Sequence, residues 1–445
     1  MKRLILSLTT LILSLATWGQ QAGDKFVIRT TEAVKKTEWS LAGGDAFSDI
    51  SIIKHNDDKL ELFAKGYENM GAWATYDLNQ IESITFTVFH KGDYQEESAA
   101  QAVKNMGLGT CFGNCLDAVD INKTMEKNSV TDFEKCWGQE PTTKPMVDFL
   151  KKNGFNSVRI AVTWFQHMKE DGTVDEAWMN RVQEVVDYVI DNGMYCILNV
   201  HHDTGADPTD KSYTHWIKAD LDNYNANKTK FEYLWTQIAN RFKNYDQHLV
   251  FEGYNEMLDK DNTWNAPKNA NSYKGLNGYA QSFVNAVRAT GGNNETRNLI
   301  VNTYAAACGD EVLNNLTIPT DKVSGHIAVE VHTYAPWDWF AKGAWDTSCS
   351  NEIKNMFTRL NNKFISKGIP CIIGEYGTHG STQVSKNSSD SQIKAAADQA
   401  ADIVKQAKTN GCAAFYWMSI FEGKDRTVPQ WTLPTVVEAM KKAYK

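Results

Sequence analysis

The sequence has no basic runs. Its formal net charge of −8 arises from 46 lysines and arginines against 54 aspartates and glutamates, spread over 445 residues. The lack of a basic patch argues against nucleic acid or an anionic membrane surface as the partner. A neutral polymer such as a glycan is compatible with this charge distribution.

After its first residues, the chain also lacks an apolar segment long enough to cross a membrane. Lys2 and Arg3 precede an apolar run over residues 4–16, and polar residues follow it. The run is shorter than the roughly 20 residues that a spanning helix needs, so it predicts a secretory signal peptide over residues 1–21. No cysteine directly follows the run, so no lipoprotein anchor is predicted. We expect a secreted or periplasmic protein.

The motifs of two cofactor classes are missing as well. No Gly-x-Gly-x-x-Gly turn is present, which removes the dinucleotide-binding alternative. Cys111 and Cys115 have no matching Cys or His pair at a useful spacing, which argues against zinc. We therefore expect no metal in this protein.

Eight cysteines in an exported chain permit disulfides. Cys196, Cys371 and Cys412 lie in or beside apolar, strand-like runs, where a buried free thiol is more common. Cys308 and Cys349 lie in loop-like surroundings and form a candidate pair. The sequence alone does not determine the connectivity.

The length of the chain predicts one large domain and one small one. Short alternating or β-branched runs between Lys25 and Lys91 predict a small β-rich module, which we place at residues 22–95. The larger domain then covers residues 96–445. The module is either carbohydrate-binding or a spacer, and its aromatic residues are too few to choose.

One pattern recurs through the larger domain: an amphipathic helix, then Asn-Gly or Lys-Gly, then an apolar strand. Glycine at the C′ position of a helix adopts the left-handed conformation and turns the chain back toward the sheet. Four copies contain Gly154, Gly193, Gly368 and Gly411. Continuous apolar strands that alternate with helices predict a parallel sheet covered by helices.

Eight predicted strands within about 350 residues favour an α/β fold of the (β/α)8 type, a TIM barrel, preceded by the small β-rich module. The predicted strands are 106–110, 157–162, 195–200, 249–251, 298–301, 326–331, 370–373 and 413–417.

Polar and aromatic residues are concentrated at the carboxyl ends of these strands, where a barrel of this type carries its active site. Random surface polarity would not converge on one rim in this way. The main residues are, in chain order, Arg159, Asn199, His201, His202, Asn255, Glu256, His332, Tyr334, Glu375 and Trp417.

Glu256 and Glu375 follow strands four and seven, which lie on roughly opposite sides of the ring. Two carboxyl groups that face each other across a cleft are what glycoside hydrolysis requires. Separations of about 5 to 5.5 Å indicate a retaining enzyme, and roughly 6.5 to 9.5 Å an inverting one. The sequence gives neither distance.

Other interpretations of these residues must be weighed. Glu252 shares its strand and side-chain parity with Glu256, but it lies a layer deeper, where we expect a structural hydrogen bond. His201 and His202 are adjacent on a strand and point to opposite faces, so hydrogen-bonding roles are favoured over a shared zinc ion. Arg159 is either a barrel ion pair or a partner of the nucleophile, and these two interpretations are compatible.

Tryptophans near this rim are candidate platforms for sugar rings, because C–H faces stack on exposed indoles. For Trp417, stacking is favoured over a role as a core aromatic. Trp337, in the loop after strand six, is a further candidate, although it could simply pack its loop.

Taken as an ordered set, these motifs resemble glycoside hydrolase family 5, particularly its secreted endoglucanases and xyloglucanases. The similarity runs from about Met106 to the C-terminus. The matching segments are 112–118 (FGNCLDA), 137–138 (WG), 154–160 (GFNSVRI), 199–203 (NVHHD), 251–256 (FEGYNE), 331–334 (VHTY), 372–377 (IIGEYG) and Trp417.

The resemblance implies a two-step retaining mechanism that needs no metal or organic cofactor. It implies that Glu375 attacks the anomeric carbon and that Glu256 protonates the glycosidic oxygen and then activates water. It assigns substrate-binding or positioning roles to the other matching residues. Arg159 keeps Glu375 ionised, Asn255 binds the sugar 2-hydroxyl, Tyr334 hydrogen-bonds the nucleophile, and His201, His202, His332, Asn114 and Trp417 form the sugar site.

Two departures from the family pattern affect the expected substrate. The segment 110–114 (TCFGN) replaces a common Trp-Asn-Leu-Gly-Asn, and 417–421 (WMSIF) replaces a common start of Trp-Asp-Asn. We expect a monomeric endo-β-1,4-glucanase acting on β-glucan polysaccharide. The alternatives are a xyloglucanase, a mannanase or a mixed-linkage glucanase on the same barrel, and a catalytically inactive glycan-binding protein.

Overall fold

The computed structural model describes residues 94–445, apart from 122–123, 207–213, 335, 337–338 and 379–382. Before residue 94 it describes the stretches 25–30, 37–40, 50–56, 59–64, 71–72, 74–77 and 81–87. The predicted signal peptide at residues 1–21 lies outside the described residues. The chain divides into two compact units, with the boundary between Asp93 and Tyr94.

The described strands of the first unit form two antiparallel, three-stranded sheets, ordered β2-β1-β6 and β3-β4-β5. A role of this unit in binding carbohydrate stays a prediction. The strands are β1 (Lys25–Thr30), β2 (Thr37–Ser40), β3 (Ile50–Asn56), β4 (Lys59–Ala64), β5 (Ala74–Asp77) and β6 (Ile81–Thr87).

The second unit is a closed barrel of eight parallel strands, which confirms the predicted TIM barrel. The ring closes where the last strand pairs with the first, Ala414 lying opposite Leu108. The strands are β7 (Leu108–Phe112), β8 (Ser157–Ile160), β9 (Tyr195–Asn199), β10 (Leu249–Glu252), β11 (Leu299–Asn302), β12 (Ile327–Thr333), β13 (Cys371–Tyr376) and β14 (Ala413–Tyr416).

Every residue of these eight strands is buried. Continuous apolar sequence is therefore required, because one face of each strand meets the helices and the other fills the barrel. Inside the barrel, side chains such as Ile197, Val250, Ile300 and Phe415 form an apolar cluster separate from the layer between strands and helices. Polar residues in these strands must consequently find partners within the barrel.

Helices connect and surround the strands. They are α1 (Ala99–Asn105), α2 (Lys144–Lys152), α3 (Glu176–Ile190), α4 (Leu221–Arg241), α5 (Ala270–Ala289), α6 (Asp310–Asn315), α7 (Trp339–Lys342), α8 (Thr347–Lys363), α9 (Asp390–Thr409) and α10 (Pro434–Tyr444). None of the helices in the described part of the chain is long and apolar enough to span a membrane.

The four glycines of the recurring pattern all have positive φ, with values of 92° at Gly154, 60° at Gly193, 81° at Gly368 and 69° at Gly411. A Cβ atom at any of them would meet nothing within 4 Å. Glycine is needed here for its backbone conformation rather than for space, as the sequence pattern indicated.

The cysteines correct one expectation. All eight are free thiols, so the suggested pairing of Cys308 with Cys349 is wrong. Cys349 is buried in the apolar core, where a thiol packs as a small hydrophobic side chain. Burial raises the pKa of the Cys115 thiol to about 12. Such thiols are therefore protonated at neutral pH.

A buried histidine makes the stability of this fold depend on pH. His167 stacks on Trp178 with ring centroids 3.6 Å apart and an interplanar angle of 9°. Burial lowers the pKa of His167 to about 3. In the unfolded chain a histidine titrates near pH 6.5, so the unfolded state binds more protons below that pH and the free energy of unfolding falls between about pH 6.5 and 3.

We expect His167→Phe to reduce the acid sensitivity of the protein, because phenylalanine keeps the stacked ring without a proton to bind. Each unit of pH below about 6.5 costs the wild type roughly 1.4 kcal/mol through this one group. The measurement is the melting temperature of both proteins between pH 7 and 4. Parallel melting curves across that range would contradict the expectation.

Candidate active site

The carboxyl ends of the barrel strands bring most of the predicted site residues together. Arg159 is on β8, His332 on β12 and Glu375 on β13. Asn255 and Glu256 lie in the segment that follows β10, three and four residues after its last residue, Glu252. Trp337 lies outside the described residues, and its predicted role as a sugar platform is left as a prediction.

Glu256 and Glu375 line the same cleft, which has a volume of about 870 Å³. One carboxylate oxygen of each, together with a ring nitrogen of His332, lie within 4.8 Å of one another. The side chain of Glu256 is 21% exposed and that of Glu375 is 6% exposed. The two carboxyl groups therefore lie close together in the cleft, and Glu256 is more accessible to solvent than Glu375.

Arg159 is the centre of the polar network inside the barrel. Its side chain is fully buried, and its Nη1 donates to Oε1 of Glu375 at 2.9 Å. Its Nε and Nη2 donate to the two oxygens of Glu252 at 2.7 Å each. Nη2 also donates to Oδ1 of Asn255 at 2.8 Å. The structure thus satisfies both sequence interpretations of Arg159, as a barrel ion pair and as a partner of Glu375.

Glu375 is held by a second donor from the neighbouring strand. The hydroxyl of Tyr334 donates to Oε2 of Glu375 at 2.6 Å. Burial, followed by the charge of Glu375, raises the pKa of Tyr334 well above its usual range, so the hydroxyl keeps its proton. Arg159 and Tyr334 together fix the positions of both carboxylate oxygens of Glu375.

Glu256 is in a different environment. Its Oε1 lies 3.0 Å from Nδ1 of His332, and Nε2 of the same ring lies 3.1 Å from Oε1 of Glu330. Burial opposes the charge of this ring, but Glu375, Glu256 and Glu330 together raise the pKa of His332 to about 10. Glu256 therefore faces a protonated imidazole.

His201 and Trp417 form a stacked pair of rings near Glu375. Their rings stack with centroids 5.7 Å apart, and Nε2 of His201 is 4.0 Å from Oε1 of Glu375. Burial, then the charge of His202, lowers the pKa of His201 well below its usual range, so the ring is neutral. Trp417 is only 6% exposed. A Cβ at Gly113 would fall 2.5 Å from the indole, so that glycine makes room for it.

His202 and Asn114 lie beside this centre. Nε2 of His202 is 3.4 Å from Oδ2 of Asp117, and its ring packs edge-on against Trp137 at 5.1 Å. Asn114 has a φ of 58°, a conformation that non-glycine residues adopt mainly in turns and functional loops. The geometry thus gives His202 partners other than the two glutamates.

Two further polar residues of this network, Glu330 and Asn302, are not among the predicted site residues. Glu330 is fully buried on β12, and the amide of Asn302 on β11 lies between Glu330 and Glu252. A signal was present: a glutamate inside an apolar strand, two residues before His332 and on the same face, must be buried with a partner.

A TIM barrel with paired carboxylates at the carboxyl ends of strands four and seven defines a glycoside hydrolase. Residues 120–423 match the family model described as cellulase (glycosyl hydrolase family 5), so this chain belongs to that family.

Solved and curated relatives agree with this assignment. A family 5 enzyme of Prevotella bryantii B14, crystallised as a variant with a xyloglucan tetradecasaccharide, is 57% identical, with a TM-score of 0.75 over 79% of this chain and 100% of that one. The xyloglucan-specific endo-β-1,4-glucanase of Bacteroides ovatus is 32% identical over 432 residues, 91% of this chain and 83% of that protein. The chain spans 40% of the cellulase/esterase CelE of Acetivibrio thermocellus, to which it is 34% identical over 362 residues, 77% of this chain.

Proposed function

We propose that residues 96–445 form a retaining endo-β-1,4-glucanase, in which Glu375 is the nucleophile and Glu256 is the acid/base. The observation that carries this proposal is the approach of the two carboxyl groups to within 4.8 Å, oxygen to oxygen, over one cleft. Retaining enzymes have carboxyl groups about 5 to 5.5 Å apart, whereas inverting enzymes leave roughly 6.5 to 9.5 Å for a water molecule.

The different surroundings of the two glutamates support their separate roles. Glu375 accepts hydrogen bonds from Arg159 and Tyr334, which hold its two carboxylate oxygens in fixed positions, as a nucleophile requires. It attacks the anomeric carbon while Glu256 gives its proton to the departing glycosidic oxygen. Glu256 then takes a proton from water, whose oxygen attacks the same carbon and releases Glu375.

Asn255 supports the proposed sugar contact. Its Oδ1 accepts from Arg159 at 2.8 Å, which distinguishes the oxygen of the amide from its nitrogen and fixes the amide's orientation. An amide nitrogen held in this way can donate to a sugar hydroxyl, in keeping with the role that the family pattern implies for the 2-hydroxyl. Hydrogen bonds to this hydroxyl strengthen in the transition state.

We propose a β-1,4-linked glucan as the substrate, with xyloglucan as the strongest candidate among its branched forms. Its support is the similarity to the Prevotella and Bacteroides enzymes, together with a cleft wall of small side chains at residues 305–307. Mannan and mixed-linkage glucan are the alternatives. Release of reducing ends from unbranched β-1,4-glucan, xyloglucan, mannan and mixed-linkage glucan decides between these substrates. A lack of activity on all four would refute the proposed function.

Trp264 is the most exposed large aromatic residue in this cleft, at 50%. It follows Glu256 in the segment after β10, and we propose that it stacks on a sugar ring of the substrate. We expect Trp264→Ala to raise KM by about twofold to tenfold with a smaller change in kcat, because a stacked ring contributes roughly 0.5 to 1.5 kcal/mol. Trp264→Phe should retain most of the affinity. An unchanged KM on a long substrate would contradict this role.

We also propose export by a signal peptide at residues 1–21 and a monomeric enzyme. The module at residues 22–95 is proposed as an accessory unit of the catalytic domain. Deletion of the first 21 codons should leave the protein in the cytoplasm of a bacterial host, whereas the full-length chain should reach the periplasm or the medium.

A further inference from the structure

The Glu330 carboxylate contacts one partner of each of the two proposed catalytic glutamates. Its Oε1 lies 3.1 Å from Nε2 of His332 and 3.2 Å from Nε of Arg159. His332 in turn contacts Glu256, and Arg159 contacts Glu375. Glu330 touches neither the cleft nor solvent, because its side chain is fully buried.

Burying an ionised carboxylate is costly unless it is paired, so its presence in an apolar strand calls for a reason. Arg159 alone does not supply one, because Glu252 already pairs with it through two hydrogen bonds of 2.7 Å. The contact that Glu330 makes and Glu252 does not make is the one to His332. We therefore expect the role of the Glu330 carboxylate to concern the protonation of His332.

The neighbouring strand is built around this carboxylate. A Cβ at Gly374 would fall 1.9 Å from Oε1 of Glu330, closer than any real contact. Gly374 immediately precedes Glu375, and the pairing register of β12 with β13 shifts at this point. β13, the strand that carries the proposed nucleophile, thus has a glycine at the position where any side chain would overlap the Glu330 carboxyl.

The two carboxyl partners of His332 determine how many N–H groups its ring needs. Both ring nitrogens face carboxyl oxygens, Glu256 on one side and Glu330 on the other. A neutral imidazole has one N–H, so if Glu330 received it, the bare Nδ1 would accept the proton of Glu256. Only a doubly protonated ring donates to both partners and leaves the proton of Glu256 on its other oxygen.

We propose that Glu330 is a positioning residue that keeps His332 doubly protonated, and thereby keeps the proton of Glu256 available to the leaving group. This inference rests on the proposed roles of Glu256 and Glu375. It assigns to Glu330 no contact with substrate. Glu330 determines which oxygen of Glu256 carries the proton, and it sets the pH range over which the proton stays there.

The charged and titratable groups around His332 in the described chain all bear on its protonation. Glu375 approaches Nδ1 to 3.6 Å and favours the charged ring, as Glu256 and Glu330 do. The opposing charge is Arg159, which shares the carboxylates of Glu330 and Glu375 with His332. His201 is neutral, because burial and the charges around it, including that of His332, lower its pKa. Three acidic groups thus outweigh one cation, in agreement with the raised pKa of His332.

The test is Glu330→Gln, which keeps size and hydrogen-bonding capacity but removes the charge. We expect kcat to fall by about tenfold or more, part of the roughly 10² to 10⁴ that a general acid contributes, while KM changes little. The alkaline limb of the pH–rate profile should move to lower pH by about one unit, because His332 loses an anionic partner. In ¹⁵N NMR of histidine-labelled protein, the titration midpoint of His332 should move in the same direction.

Glu252→Gln is the matched control. This variant removes a carboxylate that is as buried as Glu330 and pairs with the same arginine, but that has no contact with His332. The alkaline limb and the titration midpoint of His332 should therefore shift less than in Glu330→Gln. If Glu330→Gln lowers kcat without moving either of them, Glu330 is merely structural and the inference is wrong. If that variant does not fold, the wild-type spectrum decides: His332 with a single N–H at pH 7 overturns the inference.

These results can be separated from failure of the proposed function. Loss of activity in Glu256→Ala and Glu375→Ala with an unmoved profile in Glu330→Gln refutes only the role of Glu330. Full activity in both of those alanine variants refutes the proposed function itself.

Discussion

Glu375→Ala should lose activity by a factor on the order of 10⁴ or more, because the variant lacks the carboxylate that is proposed to form the covalent intermediate. Glu256→Ala should lose roughly 10² to 10⁴ on a substrate with a poor leaving group, and much less on an aryl glycoside, whose leaving group needs no proton. The measurement is kcat/KM on xyloglucan and on an aryl β-cellobioside.

Azide distinguishes the two roles through the configuration of the product. In Glu375→Ala, azide occupies the space left by the carboxylate and attacks the β-glycoside directly, which gives the α-glycosyl azide. In Glu256→Ala, azide attacks the glycosyl-enzyme and gives the β-glycosyl azide. Glu→Gln at each position is the size-matched control. An α-azide from Glu256→Ala would mean that the roles are reversed.

Arg159→Leu should cost both activity and stability. The variant leaves Glu252, Glu330 and Glu375 buried without their common cation, and removing one partner of a buried pair costs about 3 to 5 kcal/mol. Activity should fall on the order of a hundredfold or more, because Glu375 and Asn255 lose the donor that orients them. Chemical denaturation and kcat/KM provide the two readouts.

Arg181→Leu is the control for this prediction. Arg181 is also a buried arginine with a carboxylate partner, Glu134 at 2.8 Å, but it lies on α3 outside the cleft. We expect it to lower the free energy of unfolding with little effect on kcat. Equal losses of activity in the two variants would show that the effect of Arg159 is only on stability.

Much of this architecture could be predicted because its signals are local. The glycines that follow the helices, together with the apolar runs, predicted the barrel. Active sites of such barrels lie at the carboxyl ends of the strands, and this rule identified Arg159, Glu256, His332 and Glu375. The strands begin and end within about three residues of the predicted limits, a deviation usual for such boundaries. Each of these features can be read within a few residues of sequence.

What the sequence did not reveal depends on contacts between distant strands. Arg159 meets Glu375 across 216 residues, and no local pattern predicts the register that brings them together. Glu330 lies inside an apolar run, and residues at strand ends alone do not include it. The sequence around Cys308 and Cys349 is compatible with a disulfide, because sequence does not show the burial that distinguishes a core thiol from a loop thiol.

The polar network around Arg159 ties β8 to β10, β12 and β13, strands from different sides of the ring. The contacts that orient the proposed nucleophile, Glu375, therefore also hold these strands of the closed barrel together. One consequence is that thermal inactivation and loss of the tertiary structure should be a single cooperative event, with no partly opened intermediate that still turns over substrate.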